Sequence, residues 1–274
     1  MDLNILRALP RPLPSLHSGD LAGTAPSLRQ RNRVLQGLAN REFTLAYQPI
    51  VDARGASAVG AEALLRWHHP ERGWLRPGAF IQTLEQDPAI AWEATAFVVK
   101  QIAADLSALP ATRRNGFVSF NVYPSQLLGG KLRQLLESHY LARGHAPEAL
   151  LIELLETEPQ PLCDGLVEEI RRLRALGFRI AIDDFGCGSW SLLDLARIEV
   201  DAVKLARELL LHVPAVGSAT EIMLGALRIL DGLGTQAIIE GVETPEQAAW
   251  VAAIPRAWAQ GYAFSRPQPG LPKL

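Results

Sequence analysis

Residues 150–205 read LLIELLETEPQPLCDGLVEEIRRLRALGFRIAIDDFGCGSWSLLDLARIEVDAVKL. Three short apolar runs, Leu150–Leu154, Arg179–Asp183 and Ala202–Leu205, alternate with two longer stretches, Gly165–Leu176 and Ser189–Arg197, whose apolar residues recur at helical spacing. Short apolar runs bounded by turn residues read as strands, and strands alternating with helices predict a parallel sheet covered by helices. The alternation continues outward. Strands are predicted at Thr44–Val51, Ala58–Arg66 and Gly116–Val122 before this stretch, and at Gln236–Glu240 and Trp258–Tyr262 after it. Helices are predicted at Ala79–Glu85, Ala91–Ala108, Gly130–Arg143, Ser218–Gly232 and Pro245–Ala253. About eight strands predict an α/β fold of the closed (β/α)8 TIM-like barrel type, with an open doubly wound sheet as the competing topology. No GxGxxG follows the first strand, which weakens the dinucleotide-binding version of that alternative.

Polar residues recur at the ends of these strands. Glu62 lies in VGAEALLRW, Asn121 follows Phe117–Phe120, and Glu153 follows Leu150–Ile152. Asp183 and Asp184 follow Ile180–Ile182, Lys204 follows Ala202–Val203, and Glu240 follows Ala237–Ile239. Each alone reads as a helix cap, a turn or a solvated loop residue. In a (β/α)8 barrel, however, the strand C-termini share one mouth. Carboxylates gathered there repel one another unless protons or cations intervene. Hard divalent ions such as magnesium and manganese take oxygen ligands, and a pair of them suits attack at phosphorus. The pattern therefore points to a metal-dependent hydrolase.

The bulk numbers set outer bounds. The chain has 274 residues, 48% hydrophobic and 20% charged, with a net charge of -2. That balance argues against a basic surface for polymeric nucleic acid. The two cysteines, Cys163 and Cys187, form no disulfide framework. No apolar run reaches the ~18 residues of a membrane span, so a cytoplasmic protein without membrane insertion is expected. Residues 1–28, rich in proline, glycine and serine, read as a flexible leader, and residues 29–274 as the barrel domain.

The motifs resemble those of the EAL-domain cyclic di-GMP phosphodiesterases. Glu62-Ala63-Leu64, continued as Leu65-Arg66-Trp67, is similar to the signature that names the family. Tyr47–Asp52, Asn121 with Ser125-Gln126-Leu127, Glu153-Leu154-Leu155-Glu156, Asp183-Asp184-Phe185-Gly186, Lys204, Glu240–Thr244 and Gln260-Gly261-Tyr262 follow in the family's order. The resemblance implies an EAL-type barrel with one antiparallel strand, two divalent cations (Mg2+ or Mn2+) and hydrolysis of cyclic di-GMP to linear pGpG. Ca2+ would bind without supporting turnover. It implies that Glu62, Asn121, Glu153 and Asp183 hold one metal, and that Asp183, Asp184 and Glu240 hold the second. Lys204 would contact the hydrolytic water, and Glu243 would support the metal ligands. Gln48, Leu64, Arg66 and Gln260 would face the substrate or the metal-bound water, Glu156 would anchor the loop after the acid pair, and the protein would be a homodimer.

The sequence departs from the family pattern near that loop. Leu155 stands where the family has Thr, Cys187 replaces Thr, Ser189 replaces Tyr and Trp190 replaces Ser; Ala206 and Ala257 stand where Asp is usual. These changes keep a second reading in view, a non-catalytic or weakly active module that receives cyclic di-GMP or binds a protein. An unrelated barrel hydrolase is the third. His68 and His69 are not taken as ligands, since neighbours on a strand face opposite sides. Trp250 and Trp258 are read as core or interface.

Overall fold

The computed structural model describes residues 27–54, 57–110, 116–155 and 162–273. The predicted apolar runs become strands: β1 (Phe43–Asp52), β2 (Ala58–His69), β3 (Gly73–Leu75), β4 (Phe117–Val122), β5 (Leu150–Leu154), β6 (Arg179–Phe185), β7 (Ala202–Leu205), β8 (Gln236–Ile239), β9 (Trp258–Ala259) and β10 (Gln268–Pro269). Every residue of β5 and of β7 is buried, as strands covered on both faces must be. The helices are α1 (Leu28–Ala39), α2 (Ile81–Gln86), α3 (Pro88–Ala108), α4 (Lys131–His139), α5 (Asp164–Ala175), α6 (Leu192–Arg197), α7 (Arg207–Leu210), α8 (Gly217–Gly232) and α9 (Pro245–Ala252).

The strands run in the order β1-β9-β8-β7-β6-β5-β4-β2, and a β1–β2 pairing closes the ring. β3 and β10 hang outside it, so the barrel proper has eight strands, as expected. β1 lies antiparallel to both β2 and β9, while the strands from β2 round to β9 are mutually parallel. Strict strand–helix alternation fails only at the first step. Residues 53–57 join β1 to β2, and so short a connection can serve only antiparallel neighbours.

Several predicted helix limits shift, two of them for evident local reasons. α6 begins at Leu192 rather than Ser189 because Ser191 caps it: its Oγ accepts from the Asp194 N–H, and the Asp194 carboxylate accepts from the Ser191 N–H at 2.9 Å. α4 stops at His139, and the predicted remainder is a separate 3-10 turn over Leu141–Arg143.

The barrel interior is built in two tiers. Ile50, Phe117, Leu151, Ala181, Ala202 and Ile238 form one apolar cluster, with Phe117 stacked on Trp258 at 5.1 Å. Side chains alternate faces along a strand, so the inward face recurs two residues on. From Leu151 that step reaches Glu153; from Ala181, Asp183; from Ala202, Lys204; from Ile238, Glu240. The apolar tier thus plugs the barrel beneath a polar tier at the strand C-termini. Trp258 belongs to the plug, and Trp250 packs half-buried on the larger core outside the ring.

Gly261 shows how tightly the mouth is built. A Cβ there would lie 2.1 Å from the Val242 carbonyl oxygen and 2.4 Å from its nitrogen. Backbone cannot retreat as a flexible side chain can. Gly261→Ala is expected to destabilise the fold by about 3 kcal/mol or more; a urea midpoint equal to that of the unmodified protein would contradict this.

Candidate metal centre

Seven strands, β2 and β4 to β9, deliver charged or amide groups, from within the strand or the residue just beyond it, to one volume. Lys204, at only 1% exposure, sits at its centre. Its Nζ lies 2.7 Å from Asp183 Oδ1, 2.8 Å from Glu240 Oε1, 3.0 Å from Glu153 Oε2 and 3.6 Å from Glu62 Oε2. Glu62 accepts hydrogen bonds from Asn121 Nδ2 and Gln260 Nε2, each at 2.8 Å. Asp183, Asp184 and Glu240 bring carboxylate oxygens within 4.8 Å of one another. The expected residues Glu62, Asn121, Glu153, Asp183, Asp184, Lys204, Glu240 and Gln260 therefore do converge.

Asp183 and Asp184 are sequence neighbours and should point to opposite faces. They meet because the chain bulges: the β6–β7 register shifts between Ile182 and Phe185, and Asp184 has φ +51. Aspartate tolerates this left-handed region better than most residues, and such strain clusters at functional sites.

The electrostatics are lopsided. Four carboxylates face one lysine, and the fifth, Asp184, lies beside Asp183 and Glu240. Burial pushes the Glu153 carboxyl well above its usual range, with Lys204 pulling it down and Glu62 and Asp183 pushing it up. Asp183 is raised chiefly by burial, and Glu240 from 4.5 to about 8 by the same cause. For Lys204, burial works against the charge, but the surrounding carboxylates outweigh it and hold the ammonium well above the ordinary lysine value. Asn121 Oδ1 and Gln260 Oε1 are buried without a hydrogen-bond partner. Excess negative charge, oxygen-only donors and unpartnered amide oxygens together fit hard divalent cations.

One consequence can be measured without metal. A carboxyl raised to about 8 when folded and near 4.5 when unfolded holds its proton longer in the native state. Its stabilising contribution is complete below the unfolded value and disappears as pH rises through the folded one. In chelator, the melting temperature is expected to fall between about pH 5 and pH 8, and Mg2+ should reduce that slope. A flat profile in chelator would contradict the electrostatic picture.

A polar pocket of ≈ 210 Å³ is lined by Gln48, Asp184, Arg207, Glu240, Glu243 and Tyr262 among others. An apolar cavity of ≈ 130 Å³ lies between strands β2 and β4 and helices α2 and α3, lined by Leu64, Arg66, Phe80, Tyr123 and Leu155 among others. Gln48 donates from Nε2 to the Ser265 carbonyl at 3.1 Å, and Arg66 from Nη1 to the Leu65 carbonyl at 2.9 Å. Glu243 is exposed at the mouth. Glu156 lies outside the described residues. His69 is buried and accepts from Arg33 Nε at 3.1 Å, while His68 packs on Trp74; neither joins the acid cluster. Cys187 is exposed, with its Sγ 3.7 Å from Glu208 Oε2, and Trp190 packs on the main core. Ala206 and Ala257 are buried.

The sequence reading missed Ser119, Arg207 and the placing of Tyr262. Ser119 lies two residues before Asn121 on β4, so the strand period alone assigns it to the inward face. Arg207 follows β7 by two residues, and nothing in its neighbours marks it. Tyr262 is half-exposed at the mouth, with the Arg266 guanidinium 4.3 Å over its ring.

A closed eight-stranded ring, parallel except at β1, with carboxylates gathered round a buried lysine at the strand C-termini defines a barrel with a metal-type centre. The chain belongs to the EAL domain family, whose model it matches over residues 31–267. Among its relatives, the cyclic di-GMP phosphodiesterase RocR of Pseudomonas aeruginosa is 31% identical over 243 residues, which is 86% of this chain and 60% of RocR. The probable cyclic di-GMP phosphodiesterase PdeD of Escherichia coli is 31% identical over 270 residues, covering 95% of this chain and 49% of PdeD. An uncharacterized signaling protein of Caulobacter vibrioides is 34% identical, and this chain spans 28% of its length. The phosphodiesterase PaMucR, solved in complex with c-di-GMP, superposes with a TM-score of 0.80 at 27% identity, over 88% of this chain and 98% of that one.

Proposed function

We propose that this domain hydrolyses cyclic di-GMP to linear pGpG, using two divalent cations of the Mg2+ or Mn2+ type. The observation that carries this is the lysine-centred carboxylate cluster. Its ligand atoms are oxygens only, and its charge is unbalanced without further cations. The names of RocR, PdeD and PaMucR supply the substrate class. Glu62, Asn121, Glu153 and Asp183 would hold one cation, and Asp183, Asp184 and Glu240 the other. Bound there, such cations would activate water and offset charge on the phosphoryl oxygens.

The chain's own residues do the positioning. Asn121 and Gln260 fix the Glu62 carboxylate through their amide donors. Lys204, kept protonated by its neighbours, can only donate; its Nζ would orient the attacking water and stabilise charge that grows on the phosphoryl oxygens. The plug beneath closes the floor, so the reacting group enters only from the mouth. Gln48, Leu64, Arg66 and Glu243 stand at the rim to contact the dinucleotide or support the ligands. The reading includes a cytoplasmic homodimer. Exposed Leu192, Leu193, Leu211 and Ile222 offer apolar surface for the contact, and no helix of the described residues is long and apolar enough to cross a membrane.

The test is product analysis with the purified full chain. With Mg2+ or Mn2+ it should release pGpG; in chelator, or with Ca2+ alone, it should not. No turnover across both metals and a range of pH and protein concentration would sink the enzyme. Binding of the dinucleotide without product would then favour the receptor reading.

A further inference from the structure

The mouth holds a cation that the phosphodiesterase reading leaves without a task. Arg207 is the first residue of α7 and lines the polar pocket beside Asp184, Glu240 and Gln260. Its place there depends on Gly241. At φ +67 that glycine brings the turn after β8 so close that a Cβ would lie 2.4 Å from Arg207 Cβ and 3.2 Å from its Cα. The Arg207 side chain is 65% exposed, and its ion pair is a loose 3.6 Å contact with the adjacent Glu208. The other rim guanidiniums are engaged: Arg66 donates to a carbonyl, and Arg266 lies on the Tyr262 ring.

The sheet order adds a geometric constraint. In the eight-stranded ring, β2 and β7 stand four places apart. Arg66 and Arg207 therefore occupy opposite walls, with the acid cluster between them. A cyclic dinucleotide carries two phosphodiesters on opposite sides of its ring. When one of them reaches the cluster, the other is held away from it. That second anion then faces a mouth otherwise rich in carboxylates, where it is repelled unless a cation meets it. A guanidinium fork matches phosphate oxygens in shape and charge.

We propose that Arg207 holds the phosphodiester that is not cut, acting as a positioning residue that registers the other phosphodiester over the carboxylate cluster. The assignment rests on the function proposed above. It is tested by calorimetry of the full chain with cyclic di-GMP in Ca2+, at low and high salt, for the unmodified protein, R207A and R207K, with thermal melts to confirm folding. R207A is expected to weaken binding roughly ten- to a hundredfold and to flatten the salt dependence. R207K should recover most of the salt dependence, because lysine keeps the charge, but only part of the affinity, because it lacks the bidentate fork. An unchanged Kd for R207A overturns the assignment. If R207K is as weak as R207A while the salt slope stays intact, the guanidinium reads a base edge, and the phosphate assignment is likewise overturned. Tight binding by the unmodified protein without product formation sinks only the enzyme, and the Arg207 assignment is still decided by the Kd values. No binding by the unmodified protein sinks both.

Discussion

Glu62→Gln is expected to cut turnover of cyclic di-GMP at least a hundredfold while leaving the barrel folded. The reason is the double hydrogen bond. Glu62 accepts from Asn121 on one oxygen and from Gln260 on the other, and it lies 3.6 Å from Lys204. A glutamine has one oxygen, so one of the two amide donors would face another NH2. Relieving that conflict means turning Asn121 or Gln260 over, which points its unpartnered oxygen away from the place a cation would take. The substitution thus removes one charge and misplaces a second oxygen, although volume and packing barely change. The measurement is kcat against metal concentration, alongside a melting curve. Activity within about threefold of the unmodified enzyme at saturating metal would show that Glu62 is not a ligand.

Lys204→Met carries the other large effect, and it falls on stability as well as rate. Lys204 is the shared cation of Glu153, Asp183 and Glu240, and Glu153 is fully buried. Removing one partner of a buried charge cluster typically costs about 3–5 kcal/mol, because the charges left behind have neither water nor a counterion. For a domain of this size that corresponds to a melting point roughly 6–20 °C lower in chelator. The carboxyls can escape by taking up protons, so the loss should be larger at pH 8 than at pH 5. Mg2+ should restore much of the stability, since cations can replace the missing charge, but not the turnover, since no ammonium remains to orient water. A melting point in chelator that is indifferent to the substitution would mean that the cluster is not electrostatically coupled as its distances require.

Much of the fold was legible in the sequence. Apolar runs such as Leu150–Leu154, short and bounded by turn residues, read as strands, and the stretches between them carried helical spacing. Placing Glu153, Asp183 and Lys204 at strand ends needed nothing more than counting along those runs. The first strand was harder. Its pattern resembles the others, and only its short link to β2 forces it antiparallel. Helix limits were set by caps that read clearly only in space, as Ser191 and Asp194 show for α6.

The sequence by itself determined which residues stand at strand ends, which of them are acids, and which family the order of motifs resembles, because these follow from local period and residue type. Only the tertiary structure decided that Lys204 is buried among four carboxylates, that a bulge at Asp184 turns two adjacent acids to one side, and that Gly241 seats Arg207 at the mouth. Those facts depend on distances between strands far apart along the chain. Closure of the barrel fixes such distances, and no pattern within one segment encodes them.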